Sequence, residues 1–156
     1  MAGSEPAIES VRVLGGVHAV AVGGSAIDVP SASQRRLLAI LALHSPRRLR
    51  SEWLADVLGI APGALRMLVS RLRTTIGGAV LQTSSSGYSL VTDVDVLQFS
   101  EAVAGAADAD DRMRDLERAL GLWTGPVLEE FSGEEWADGE VARFTELHAG
   151  TVDDYA

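Results

Sequence analysis

The sequence contains no cysteine, which removes disulfide frameworks, thiolate metal sites and thiol nucleophiles together. It contains no lysine either, so all 13 basic side chains are arginine. Long apolar runs are also missing: the longest, Leu37 to Leu43, covers seven residues, whereas a bilayer span needs roughly 20. The first ten residues carry Glu5 and Glu9 and no base, so the positive n-region and apolar h-region of a secretory signal are absent. These absences lead to the expectation of a cytoplasmic protein. What is present is ordinary for a globular chain, with 47 % apolar and 22 % charged residues over 156 positions. That is enough for one ordinary domain or two small ones, and it excludes wholesale disorder.

The net charge of -9 hides a split. Residues 1 to 91 hold nine Arg against five acids, a net +4, and residues 92 to 156 hold four Arg against seventeen acids, a net -13. Within residues 32 to 82 alone, eight Arg face two acids, so a basic patch of +6 lies inside an acidic protein. A solvated basic face beside a solvated acidic one would give the same arithmetic, and charge alone does not separate the two readings.

Along the chain, Val11, Val13 and Leu14, then Val20 and Val22, then Ile27 and Val29 form short β-rich runs broken by glycine pairs, the pattern of a small antiparallel sheet. Pro30 ends it, Ser31 or Ser33 can cap a helix, and Gln34 to His44 reads as that helix, mostly apolar. Ser51 is an expected N-cap for a short helix with Trp53, Leu54, Val57 and Leu58 on one side, stopped by Gly59. After the turn Gly59-Ile60-Ala61-Pro62, a helix runs to Ile76. Its Leu65, Leu68, Val69, Leu72 and Ile76 share an inward arc, and Met67, Ser70, Arg71 and Thr74 occupy the opposite one, with Arg66 and Arg73 nearer the edges. A short helix, a tight turn and a helix with donors outward are what a helix-turn-helix needs to lay its second helix in a major groove. Ala79 to Thr83 and Tyr88 to Val91 alternate around Ser84-Ser85-Ser86-Gly87 as a hairpin, in the place of a wing.

Further on, Val96/Phe99/Val103/Ala106, Met113/Leu116/Leu120/Trp123 and Val141/Phe144/His148/Val152/Tyr155 keep three-and-four spacing, which predicts three amphipathic helices. Nothing along the chain has the spacing of an enzyme site. His18, His44 and His148 are scattered without a second ligand, and the serine run lacks the helix and lysine of a phosphate loop. No cofactor or metal is expected. Glu129, Glu130, Glu134 and Glu135 fall in an expected loop between helices and read as solvated or partner-facing acids.

Several of these segments are specific enough to carry a resemblance. Gln34-Arg35-Arg36-Leu37-Leu38, Val69-Ser70-Arg71-Leu72-Arg73 and Thr83 to Tyr88, behind three strands, resemble the OmpR-type winged helix. Asp93-Val94-Asp95 with Phe99, then Ala119 to Leu128, then Trp136 with Glu140 and Arg143, look like the opening of a bacterial transcriptional activation domain. Together they are similar to the antibiotic regulatory protein (SARP) family of transcription activators. The resemblance implies an α+β winged helix-turn-helix domain over 8–92 and an incomplete, tetratricopeptide-like all-α domain over 93–156. It implies base contacts from Arg66, Met67, Ser70, Arg71 and Thr74. Phosphate contacts would come from Arg47, Arg48, Arg50, Ser51, Arg73, Thr83 and Tyr88, with Ser84, Ser85 and Ser86 as the wing tip. Partners implied are double-stranded DNA with promoter direct repeats, a head-to-tail second copy on that DNA, and RNA polymerase, for which the four glutamates are the candidate surface. The chain departs from the family in its uncharged wing tip and its short Gly59 to Pro62 turn. A rival reading therefore stands beside the first, that of a winged-helix interaction module that holds a protein partner and reads little or no DNA sequence.

Overall fold

The computed structural model describes residues 7–106 and 111–156. Three strands open the chain: β1 (Ile8–Arg12), β2 (His18–Ala21) and β3 (Ala26–Ile27). β2 pairs antiparallel with β3, with Ala19 opposite Ile27. The turn between them places Gly23 at φ +101° and Gly24 at φ +96°, a region that favours glycine, which accounts for the Gly23-Gly24 pair. Helix α1 (Ala32–Leu43) starts where Ser31 Oγ accepts the Gln34 N–H at 3.1 Å. It buries every residue from Leu37 to Leu43, so it has no polar face to speak of.

A two-residue strand, β4 (Leu49–Arg50), leads into α2 (Ser51–Leu58), and α3 (Pro62–Ile76) comes after a turn of 93° in the chain direction. The expected N-cap role of Ser51 is not what the structure has. Arg50 holds the cap position in extended conformation and makes no side-chain cap bond, because β4 carries the backbone straight into the helix. Ser51 is the first helical residue, and its N–H donates to Ser86 O at 3.1 Å. Strands β5 (Leu81–Thr83) and β6 (Gly87–Leu90) form the expected hairpin, and β4 adds to its edge in the order β4-β6-β5. Gly87 lies opposite Arg50. A Cβ at Gly87 would sit 2.1 Å from Leu49 O, so only glycine lets β4 approach. A last short strand, β7 (Asp93–Val94), joins the first sheet in the order β3-β2-β1-β7.

The chain is then helical: α4 (Asp95–Ala106), α5 (Arg112–Leu122), a 3-10 turn at Glu129–Phe131, and α6 (Glu135–Tyr155). The described residues divide into two compact units, one of residues up to Val11 with Val17–Asp93, the other of Arg12–Gly16 with the residues from Val94 onward. In the first unit α1, α2 and α3 pack with the three-stranded wing sheet around Leu37, Leu38, Ile40, Leu54, Leu65, Leu72, Ile76 and Leu90. The architecture is an α+β winged helix, followed by an all-α segment.

In the second unit the buried Asp95 carboxylate accepts the N–H groups of Val13 (2.9 Å), Leu14 (3.1 Å) and Val96 (2.8 Å). Burial nevertheless pushes its carboxyl above the ordinary value of 3.8, outweighing those three donors and the nearby Arg12. Thr124 Oγ1 donates to Leu14 O, and Leu128 N–H donates to Val13 O, so the Arg12–Gly16 segment is bonded along its length within this unit. Leu128 takes a positive φ of 52°, a strained conformation for a side chain of its size, and is fully buried there. Two expected stripe positions face out: Met113 is exposed, and on α6 the helical register buries Thr151 where Val152 was expected. That face runs Ala137, Phe144 and Thr151, all buried, with Val141 and His148 half-buried between them; three- and four-residue steps from His148 reach both Thr151 and Val152, and the structure takes the former. Trp123 stacks on His148 with centroids 4.2 Å apart, and Phe99 packs against both. Burial there lowers the His148 value below its usual 6.5.

Two substitutions test these constraints. Gly87→Ala is expected to destabilise the first unit by about 1 to 3 kcal/mol, since backbone rather than a flexible side chain must move, and thermal unfolding by circular dichroism reads it; an unchanged midpoint contradicts the close approach. Asp95→Asn presents an NH2 to a backbone donor and is expected to cost about 1 to 3 kcal/mol. Because the folded chain holds the Asp95 proton more tightly than the unfolded chain does, this group's contribution is present at acid pH and declines as pH rises through the folded value. Unfolding measured across that range should show the decline in the parent chain and lose it in the Asn variant. Identical pH profiles would contradict it.

Candidate nucleic-acid interface

Proline at the first turn and Gly77 at φ +88° after the last bound α3, and between them the apolar positions settle which face is free. Leu65, Leu68, Val69, Leu72 and Ile76 are all buried. Arg66, Met67, Ser70, Arg71 and Thr74 are all exposed, so the five residues expected to contact bases lie together on one face. Thr74 Oγ1 donates to Ser70 O at 3.1 Å. The chain direction changes by 93° between α2 and α3, the angle of a helix-turn-helix. The turn between them is tied down: Gly59 takes φ +67°, and Ile60 N–H donates to Ala55 O at 3.0 Å.

The residues expected at phosphates separate into two groups. Arg47, Arg48 and Arg50 are exposed and line a shallow depression with Trp53. Arg47 Nη2 meets His44 Nδ1 at 2.9 Å, and Arg50 lies 3.7 Å from Glu52 in an open surface pair worth little in water. Trp53, expected inward, is half-exposed and meets His44 edge to face. The other group is engaged within the fold. Arg73 is half-buried and donates to Leu81 O at 3.2 Å and to Thr83 Oγ1, clamping the end of α3 to the wing strand. The Ser51 amide is taken by Ser86 O, and Tyr88 is only 8 % exposed. Arg73, Thr83, Ser51 and Tyr88 therefore shape the wing, whatever else they touch. Neither the clamp nor the β4 edge strand carries a sequence signal, since each joins residues eight or more positions apart through one or two bonds.

At the wing tip, Ser85 and Ser86 are exposed and Ser84 Oγ donates to Gly87 O at 3.3 Å. The four glutamates do not share one loop. Glu129 and Glu130 lie on the 3-10 turn, Glu134 accepts the Trp136 indole N–H at 2.7 Å, and Glu135 is already the first residue of α6, because the helix starts earlier than its apolar spacing indicated. Among the described residues, no group of three or more His, Asp or Glu side chains is placed to hold a metal ion, and no single helix is long and apolar enough to cross a membrane.

Known proteins resemble the chain in sequence and in fold. Residues 93–156 match the bacterial transcriptional activator domain. The regulatory protein AfsR of Streptomyces griseus is 31 % identical over 149 residues, which is 86 % of this chain and 15 % of that protein. AfsR of Streptomyces coelicolor is 34 % identical over 121 residues, 67 % of this chain and 12 % of that protein. The chain thus spans less than one sixth of the length of these relatives. Mycobacterium tuberculosis EmbR, solved in complex with a low-affinity phosphopeptide, superposes with a TM-score of 0.84 at 22 % identity, covering 97 % of this chain and 45 % of that one, a likeness of fold. With AfsR matching over 86 % of this chain and the bacterial transcriptional activator domain matching from residue 93, the chain is similar to the SARP-type regulatory proteins and carries their activator-domain sequence over residues 93–156.

Proposed function

We propose that the chain is a transcription regulator that binds double-stranded DNA by sequence, laying α3 in the major groove. The observation that carries this reading is the exposed set Arg66, Met67, Ser70, Arg71 and Thr74 on a helix whose other face is fully buried. Arginine's planar fork suits guanine O6 and N7, and Ser and Thr hydroxyls suit several base edges. Arg47, Arg48 and Arg50 supply the phosphate contacts that set register. The serine wing tip contributes little charge, so affinity rests on α3 and this arginine run. Two copies head to tail on direct repeats, and an activating contact with RNA polymerase, complete the reading by family resemblance. For that contact the exposed Glu129, Glu130 and Glu135 are better placed than the short tied turn at Gly59 to Ala61.

The test is selection from random duplexes, and then binding of variants to the selected site and to unrelated DNA. Arg71→Ala is expected to cost about 1 to 3 kcal/mol on the selected site and to flatten base preference. Arg73→Ala is expected to weaken all sequences alike and to lower the unfolding midpoint, because it releases the wing. Equal losses on both DNAs for Arg71→Ala would remove Arg71 as a base reader. Failure to enrich any duplex would favour the interaction module.

A further inference from the structure

Met67 is 58 % exposed, the one large apolar side chain left out among the described residues of α3. The helix has room for apolar groups inside, since Leu65, Leu68 and Val69 around it are buried. Its exposure is therefore a property of position: Met67 lies on the midline of the outer face. Thr74, seven residues on, falls within about 20° of the same line and about 10.5 Å along it. Thr74 donates its hydroxyl hydrogen to the Ser70 carbonyl, so it meets a partner with its methyl and with the acceptor side of its oxygen, and no longer as a donor. The midline of the helix is apolar at both ends, with Ser70 and Arg71 to either side.

Resting on the DNA-binding reading above, we propose that Met67 is a specificity-determining residue that reads the C5-methyl group of a pyrimidine in the major groove. Base edges in that groove offer hydrogen-bond donors and acceptors, and thymine alone among the four standard bases adds a methyl. A thioether pressed on an amino or carbonyl edge would strip its water and return no hydrogen bond. Pressed on a methyl, it buries apolar surface on both sides, and its flexible stem adjusts to the approach. A protein surface is the poorer occupant. Arg66 and Arg71, both exposed beside Met67, would lose their water against an apolar patch, whereas phosphates and guanine edges satisfy them. Thr74 is too far along the axis to share the same base pair and plays the same part at a second position.

The experiment uses the full chain and a duplex enriched by selection. Each thymine is replaced in turn by deoxyuridine, which removes only the methyl, and each cytosine by 5-methylcytosine, which adds one. At one position the loss of a thymine methyl is expected to weaken binding about fourfold, the equivalent of one methyl no longer removed from water. Met67→Ala is expected to bind more weakly and to be indifferent to that methyl, and Met67→Leu to keep the difference. Met67 is on the surface, so circular dichroism should show both variants folded. A gain at a cytosine that Met67→Ala abolishes would assign the same reading to methylated cytosine. If no methyl changes binding, or if Met67→Ala keeps the full difference, the proposal is wrong. If no duplex is enriched at all, the DNA-binding reading fails first and this one with it.

Discussion

The approach of β4 to the wing hairpin sets the geometry of the first unit, and it depends on the missing side chain of Gly87. With Leu49 O where a Cβ would stand, the strand closes on β6, Arg50 comes opposite Gly87, and the first amide of α2 reaches Ser86 O. One glycine thus fixes where α2 begins and how the wing lies beside it. The far end of the wing is held by Arg73, whose guanidinium bonds the carbonyl of Leu81 and the hydroxyl of Thr83. Between these two ties α3 keeps its apolar face in the core and its polar face to solvent. The DNA binding proposed above would need little reordering of the helix or its wing, which would lower the entropic cost of recognition.

In the second unit a buried carboxylate has the corresponding part. Asp95 opens α4 and gathers three backbone N–H groups, two of them from a segment eighty residues earlier in the chain. Burial disfavours the charge, and only the convergence of three donors makes the site tenable. The unit therefore needs Val13 and Leu14 as much as its own helices, and both are buried there.

Much of this was legible in the sequence where periodicity or turn chemistry speaks. The inward arc of α3, a cap at Ser31 or Ser33, the glycine stop at 59 and the hairpin around the serines are all local, and the structure has each of them, with Ser31 as the cap. The face expected to read bases is exposed as a set for the same reason, since a single amphipathic helix announces both of its sides. What the sequence did not disclose is non-local or short. β4 and β7 are two residues each, too brief for alternation to register. The Arg73 clamp, the Ser51 to Ser86 bond and the Asp95 cradle join distant residues through hydrogen bonds that composition does not reveal. The start of α6 at Glu135 and the outward Met113 and Val152 were missed because three-and-four spacing admits two registers when apolar residues are dense.

The net charge of -9 opposes DNA binding, and the exposed arginines of the first unit are proposed to overcome it. Binding of the full chain to a selected duplex, measured over a series of salt concentrations, tests that proposal most directly. Phosphate neutralisation by Arg47, Arg48, Arg50 and the α3 arginines predicts that log affinity falls linearly with log salt, by about 0.9 for each phosphate contacted, and that removing Arg48 lowers the slope by about one contact. A slope near zero, or one indifferent to Arg48→Ala, would contradict the account and leave the arginines as a solvated face.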